Sequence, residues 1–362
     1  MGGTLISLRN YLSLIDTRII HAEVMSMTAM HDYDSLLPNC KIIHPNIWLM
    51  YVRDGLPIYK KLFHKILSGV QKICLSVFHR DVTPLYIRIG SNIIGSNKYD
   101  CVVCFSESIA KFVCHYPAHK KVVWVHCEFS RIFQQVDEKV YSKFDSIVCV
   151  SNYGKTVFDR CLPVLLDKSI AIHNVIDVGY MTEKSKDVTS LDNRFDTSVF
   201  TILTIGRIDP IKQMIIIPHI ASEVMRRSKL LFKWYIIGDG KQDEKQAILN
   251  EIKKNNVYQE VILLGEKENV YPYISKSNLY VNTSKSEAYS LVNNEAKALG
   301  IPVITNNFQC ASETIIDGVD GLVTTIDRFP DAIINVMNNK SSRKRSSIDN
   351  TTSLDKFYNL FL

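Results

Sequence analysis

Two carboxylates stand eight positions apart in the run Ser286-Glu287-Ala-Tyr-Ser-Leu-Val-Asn-Asn-Glu295-Ala296. The apolar spacing here predicts a helix over Ser290–Leu299. Glu287 then falls in the loop before the helix, and Glu295 about one turn inside it. The first amides of such a helix, around Ser290, Leu291 and Val292, have no carbonyl one turn back to bond to. With the helix dipole behind them they attract a phosphate. A carboxylate on each side can accept hydrogen bonds from sugar hydroxyls at neutral pH. Taken alone, the pattern is also that of an ordinary helix face carrying solvated acids.

Two further groups have the same character. Gly206-Arg207 closes an apolar run, and Lys212 follows five positions after the arginine. A glycine at a strand end lets a ligand approach the backbone. An arginine and a lysine at this spacing can both reach a diphosphate, although two solvated cations would look no different. Ile237-Gly238-Asp239-Gly240 reads as a tight turn from strand to helix at the carboxyl edge of a sheet. That edge is where open α/β sheets bind ligands.

These residues need a scaffold, and the second half of the chain supplies a regular one. Apolar runs predict strands at Val199–Ile205, Phe232–Ile237, Val261–Leu264, Leu279–Asn282 and Pro302–Thr305. Helical spacing over 212–228, Lys241–Asn255 and Ser290–Leu299 separates them. Strands alternating with helices imply a parallel sheet covered on both faces. The first half is less legible. It offers strands at Val102–Phe105, Val122–Val125 and Ser146–Val150, and a long apolar and basic helix over Leu56–Phe78.

As a set, in this order and with Gly300-Ile-Pro-Val303 following, the motifs resemble the donor-binding domain of retaining GT-B glycosyltransferases of the family-4 type. The resemblance covers about residues 199–325, including Glu313 and Asp317-Gly-Val-Asp-Gly-Leu322. It implies a role for each matching position. Arg207 and Lys212 would neutralise the leaving nucleoside diphosphate. Glu287 would bind hydroxyls of the donor sugar, and Glu295 the ribose. The backbone of Ser290, Leu291 and Val292 would hold the diphosphate, with the turn at Gly238 at the same edge. Leu264-Gly265 would lie against the nucleobase. No cofactor or metal is implied, because cationic side chains and a helix end supply the positive charge. Two positions depart from the family. Gln213 follows Lys212 where glycine is usual, and Ala288-Tyr289-Ser290 stands in place of Gly-Phe-Gly, which leaves the sugar open.

The first half resembles the acceptor domain of the same enzymes. Gly2-Gly3-Thr4 looks like the glycine pair near the donor phosphates, with Gly3 the contact. Lys121-Val-Val-Trp-Val-His126 looks like the strand whose terminal histidine touches the donor sugar. A strand-end histidine bonded to backbone is the plain alternative. Asp145–Ser151 and His173–Asp177 match later strands. The family usually begins with an apolar strand before the glycine pair, whereas Met1 directly precedes Gly2. The expectation is therefore either an upstream start or a missing first strand.

Composition is consistent with this. At 362 residues, with 46% hydrophobic and 22% charged, the chain should form two globular domains. The expected division is an N-terminal acceptor-binding Rossmann-like domain over 1–180 and a linker over 181–197, where Thr, Lys, Ser and Asp predominate. A donor-binding domain over 198–340 and a tail over 341–362 with a terminal helix at Leu354–Leu362 would follow. Of the net charge of +6, most falls in residues 1–180, which hold 20 Lys and Arg against 15 Asp and Glu. Nine cysteines, mostly in apolar runs, suit buried thiols in a reducing cytoplasm. The Cys101–Cys104 pair lies in a buried strand with no second pair to complete a zinc site. No signal peptide or spanning helix is read. Gly154-Lys155-Thr156 lacks the first glycine of a phosphate-binding loop, and nothing points to nucleic acid. In Tyr59–Phe78 the residues Leu62, Phe63, Ile66, Leu67, Val70, Ile73 and Val77 keep helical spacing among Lys60, Lys61, Lys65 and Lys72. Such a helix can lie on a membrane surface or pack into the core with a basic edge.

The expectation is an α/β fold of the GT-B type, two Rossmann-like domains with the active site between them. The reaction expected is transfer of a hexosyl unit from a nucleotide diphosphate sugar, UDP first, to a glycan or lipid-linked oligosaccharide, with retention. The other readings are a nucleotide-sugar epimerase, a phosphorylase, or an inactive subunit that binds nucleotide sugar.

Overall fold

The computed structural model describes residues 2–25, 37–43, 58–78, 81–94, 99–132, 136–339 and 346–361, without the side chains of 58–64 and 94. The chain divides into two compact units. One contains Gly2–Val175 with Thr351–Leu362, and the other Ile176–Asn350. Both are built on parallel sheets with flanking helices.

In the N-terminal unit, strands β1 (Ala22–Met25) and β2 (Cys40–Ile43) form a separate parallel pair. The main sheet has four parallel strands in the order β3 (Cys101–Cys104), β4 (Lys120–Val125), β5 (Ser146–Cys149), β6 (Ser169–Ala171). Successive side chains of a strand point to opposite faces. Val123, Val125 and Ile147 therefore join one apolar cluster, with Phe129, Phe144 and Phe158. Trp124 points to the other face and packs against Tyr11 and Phe357, at ring-centroid distances of 5.8 and 5.9 Å. Tyr11 comes from helix Gly3–Leu14, which is tied down by side chains. Ser7 Oγ donates to Asn174 Oδ1 (2.6 Å), Asn10 Nδ2 to the Val175 carbonyl (2.9 Å) and the Tyr11 hydroxyl to the His173 carbonyl (2.8 Å). Phe357 comes from the terminal helix, which runs Thr351–Asn359 and belongs to this unit.

The C-terminal unit holds six parallel strands: β7 (Phe200–Ile205), β8 (Phe232–Ile237), β9 (Val261–Gly265), β10 (Leu279–Asn282), β11 (Val303–Asn306) and β12 (Leu322–Thr324). Their spatial order is β9-β8-β7-β10-β11-β12. This is the doubly wound order, in which the winding reverses between the first strand and the fourth, here β7 and β10. Both faces are covered. Ile202, Trp234, Ile236 and Val281 pack on one side, and Leu203, Tyr235, Ile237 and Tyr280 on the other.

Segment 181–197, expected as a linker, belongs to this unit. Helix Val178–Lys184 buries Met181 completely, and Phe195 is buried against Tyr235 and Tyr273. The Tyr273 and Tyr235 hydroxyls accept the amides of Asp192 and Asp196. Polar composition thus conceals a strap held by two apolar anchors and two phenols. The helix expected over 212–228 starts later. Gln213 is left-handed at φ 50°, a single 3-10 turn follows, and the α-helix runs Ile217–Arg227 with Pro218 in its first turn. Among the described residues no helix is long and apolar enough to cross a membrane. Met1, Leu56, Pro57, Arg80, tail residues 341–345 and the side chains of Lys60, Lys61, Leu62 and Phe63 lie outside the description.

Candidate active site

The end of β7, Ile205-Gly206-Arg207, and the end of β10, Asn282-Thr283-Ser284, face the reversal point of the C-terminal sheet. Lys212 and Glu287 meet there. Lys212 Nζ donates to Glu287 Oε1 at 2.6 Å, and Ser284 Oγ donates to the same oxygen at 2.8 Å. The Lys212 side chain is 25% exposed and that of Glu287 13%, so the pair is shielded but open to solvent. The Lys212 carbonyl accepts from Thr283 Oγ1 (2.7 Å), and Lys285 N donates to the Ile211 carbonyl (2.8 Å). Loop 207–212 is thereby latched to the loop after β10. Cys310, fully buried, donates its thiol to the Glu287 carbonyl at 3.1 Å.

Asp209 shapes the first loop. Its Oδ1 accepts the amides of Ile211 and Lys212, at 2.9 and 3.0 Å, and its Oδ2 accepts Arg207 Nε at 2.9 Å. Burial opposes its ionisation, but the Arg207 hydrogen bond and these amides outweigh it and hold its carboxyl below the usual value. Arg207 is 76% exposed and contacts Asp209, not the Lys212–Glu287 pair.

Gly238 has a structural reason to be glycine. Its φ is 149°, and an added Cβ would stand 1.8 Å from the Gly206 carbonyl oxygen. At Gly240 an added Cβ would stand 2.1 Å from the Ile208 oxygen. The Gly-Asp-Gly turn therefore lies directly on the Gly-Arg loop, with Ile208 N donating to the Asp239 carbonyl at 2.8 Å. Leu264 is buried in the apolar core, while the neighbouring Gly265 is exposed at φ 74°.

Helix Leu291–Ala298 starts beside this edge with Ser290 as its N-cap. Ser290 Oγ accepts the Asn293 amide at 3.5 Å, and Asn282 Nδ2 donates to it at 3.2 Å. The amides of Leu291 and Val292 precede any intrahelical acceptor. A buried polar layer supports this turn. Asn293 accepts from Asn282 (3.1 Å) and donates to Thr314 (3.3 Å). Glu295 is turned inward, 1% exposed, with the Tyr271 hydroxyl donating to it at 3.2 Å. Burial raises its carboxyl to about 7, against the lowering effect of that hydrogen bond. Lys212, Glu287, Ser290, Leu291 and Val292 therefore share one edge, whereas Arg207 stands outward and Glu295 inward.

In the N-terminal unit Gly3 opens helix Gly3–Leu14 on an exposed turn. His126 follows β4 immediately. Its backbone amide donates to Glu107 Oε2 at 3.0 Å, and its ring packs on Phe105. Burial, partly offset by the Glu107 charge, lowers the imidazole to about 4, so it is neutral at pH 7. Asp209, Ser284, Cys310 and Glu107 were not read from the sequence. Of these only Asp209 left a local signal, the Asp-Pro turn dipeptide. Gly154-Lys155-Thr156 lies within helix Asn152–Cys161, where Lys155 pairs with Asp159. Burial pushes the Cys101 thiol up to about 11 and Cys104 to about 12. Among the described residues no group of three His, Cys, Asp or Glu could hold a metal ion.

Residues 199–339 match the family model for glycosyl transferases group 1. The chain is similar to an uncharacterized glycosyltransferase of Methanocaldococcus jannaschii, 28% identical over 205 residues, which are 55% of this chain and 52% of the relative. It is also similar to the N-acetylgalactosamine-N,N'-diacetylbacillosaminyl-diphospho-undecaprenol 4-alpha-N-acetylgalactosaminyltransferase of Campylobacter jejuni. That relative is 28% identical over 190 residues, 52% of this chain and 48% of the relative. The chain thus spans about half the length of the curated relatives it matches. Among solved structures, Anabaena HepE in complex with UDP and glucose superposes with a TM-score of 0.69 at 15% identity, over 99% of this chain and 95% of that one. Residues 199–339 thus carry the match to glycosyl transferases group 1, and the chain has the GT-B fold, with two Rossmann-like α/β units.

Proposed function

We propose that the chain transfers a hexosyl unit from a nucleotide diphosphate sugar, UDP first, to a hydroxyl of a glycan or lipid-linked oligosaccharide, with retention. The observation that carries this reading is the Lys212–Glu287–Ser284 cluster beside the start of helix Leu291–Ala298. One edge there combines a cation, a carboxylate and free amides, the groups that a sugar diphosphate needs. An incoming diphosphate competes for Lys212 Nζ and for the amides of Leu291 and Val292. Glu287, released from the ion pair, then turns to the sugar hydroxyls. Arg207 swings from Asp209 onto the diphosphate. Glu295, released from Tyr271, takes the ribose, the backbone at Gly265 takes the base, and Gly3 and His126 are the residues of the N-terminal unit assigned to the donor. The bond from the anomeric carbon to the diphosphate oxygen breaks, a bond from the acceptor oxygen to that carbon forms, and the acceptor proton passes to the leaving phosphate. Charge on the leaving group is met by cations and a helix end, so the scheme uses no metal.

The names of the relatives support a UDP donor and a lipid-linked acceptor in polysaccharide biosynthesis. For such an acceptor, peripheral membrane contact through the N-terminal unit belongs to the same reading. Helix Ile58–Phe78 leaves Ile66, Val70, Ile73 and Val77 on one face, between 42 and 62% exposed, with Lys65 and Lys72 exposed beside them.

Turnover of a panel of UDP-hexoses and UDP-N-acetylhexosamines on undecaprenyl diphosphate-linked acceptors tests the proposal. Glu287→Ala is expected to lower kcat on the order of 100- to 1000-fold, the loss seen when one preorganised polar group is removed. Near-normal turnover in that variant would sink the assignment of Glu287.

A further inference from the structure

Beyond the carboxyl ends of the neighbouring strands β3 and β4, the chain places two chemically unlike residues together. Glu107, three positions after Cys104, opens a short 3-10 turn, and its Oε2 accepts the backbone amide of His126 at 3.0 Å. One side chain therefore holds the backbone of the residue that carries the imidazole. A charged acceptor makes this bond stronger than a neutral one would be. Burial and then the nearby Glu107 charge raise the Cys127 thiol above its ordinary value. Among the described residues no cation pairs with Glu107.

The imidazole itself is held from below. Its ring lies 4.9 Å from Phe105, which in turn stacks on Trp124 at 5.1 Å. His126 Nε2 is enclosed and has no hydrogen-bond partner among the described residues. A buried ring nitrogen without a partner is costly to keep, and such groups in folded proteins call for an explanation. The site thus has a polar atom set in place, a packed ring beneath it and one carboxylate fixing the backbone that bears it.

We propose that Glu107 is a positioning residue for sugar transfer: by holding the backbone of His126, its carboxylate sets where His126 Nε2 stands for the donor sugar. This rests on the reading of His126 as a donor contact. Functional groups keep their geometry only when neighbours lock the backbone and rotamer that carry them.

The test compares the full chain with Glu107→Ala, Glu107→Gln and His126→Ala. Turnover of UDP-sugars is measured together with UDP affinity and thermal midpoint. Glu107→Ala is expected to lower kcat on the order of 10- to 100-fold, the scale of a displaced reacting group, with UDP affinity unchanged. Gln keeps an oxygen that can accept the His126 amide, so Glu107→Gln should recover most of that loss. Should Glu107→Ala not fold, Glu107→Asp takes its place, since it keeps the charge but shortens the reach, and the same loss is expected. A second readout is independent of turnover. The imidazole nitrogen resonances of His126, assigned by their loss in His126→Ala, should shift in Glu107→Ala and return in Glu107→Gln. An unchanged kcat in Glu107→Ala, or a Gln variant no better than Ala, overturns the proposal. If no UDP-sugar is turned over by the wild-type chain, the transfer reading fails on its own. The imidazole resonances then decide: displaced in Glu107→Ala they support positioning, unmoved they overturn it.

Discussion

Lys212 and Glu287 are 75 positions apart, yet each is the other's counter-charge at 2.6 Å. Their types and approximate setting were legible in the sequence, because a Gly-Arg loop and a helix start both leave local signals. Their pairing was not, since it depends on β7 and β10 being neighbours across the reversal. For the same reason Ser284, Cys310 and Glu107 stayed hidden, as each acts through contacts that only the fold creates. Glu295 shows the opposite case. Its position was read correctly, but its burial against Tyr271 was not. Burial gives it a testable signature. Its carboxyl titrates near 7 when folded, against 4.5 as its ordinary value. The folded chain therefore holds this proton more tightly than the unfolded one. Its favourable contribution is complete below about pH 4.5, falls as pH rises, and is gone above about pH 7. Glu295→Gln cannot ionise and lacks that decline. The thermal midpoint of Glu295→Gln, relative to wild type, should rise between about pH 4.5 and about pH 7 and level off above that. A pH-independent difference would mean that Glu295 is not the buried acid described here.

At the level of elements, the parallel strands of the C-terminal unit were readable because strands covered on both faces become continuous apolar runs. Strand β12, three residues long, was too short to leave such a run, and β1 and β2 are only partly buried, so neither needs a continuous apolar one. Helix boundaries shifted where backbone chemistry intervened, as at left-handed Gln213 and at Pro218. The Gly-Asp-Gly segment was read as a tight turn at the ligand-binding edge, and its glycines are required for loop-on-loop packing. Gly238→Ala would force a Cβ onto the Gly206 oxygen in a backbone conformation that alanine rarely adopts. It should cost more than about 2 kcal/mol in urea unfolding, as expected of a substitution that breaks a special backbone position. A loss below that would show that the two loops separate easily, and that the Gly-Arg loop is not held by its neighbour.

For the molecule as a whole, the sequence disclosed two Rossmann-like units but misplaced their boundary. Segment 181–197 looks like a linker by composition, and it is bound to the C-terminal unit by Met181 and Phe195. The terminal helix was expected near its observed place, but its membership of the N-terminal unit could not be read, because the Phe357–Tyr11–Trp124 contact spans most of the chain. Charge is also distributed at this scale, since residues 1–180 carry the basic excess. Helix Ile58–Phe78 has four lysines and no acidic residue. If it serves membrane contact, the chain should co-sediment with phosphatidylglycerol vesicles and not with phosphatidylcholine vesicles. Ile73→Asp with Val77→Asp should weaken that binding several-fold, as loss of buried apolar area plus added negative charge requires. Equal binding by the double variant would assign the exposed stripe some other purpose. The central claim, a nucleotide-sugar site at the carboxyl edge of the C-terminal sheet, is tested most directly by calorimetric titration with UDP, GDP, ADP and NAD, each with and without magnesium. Selective binding of UDP without metal, lost in Arg207→Ala/Lys212→Ala, is the expected result. Absence of binding by every nucleotide, or UDP binding unaltered in the double variant, would contradict it.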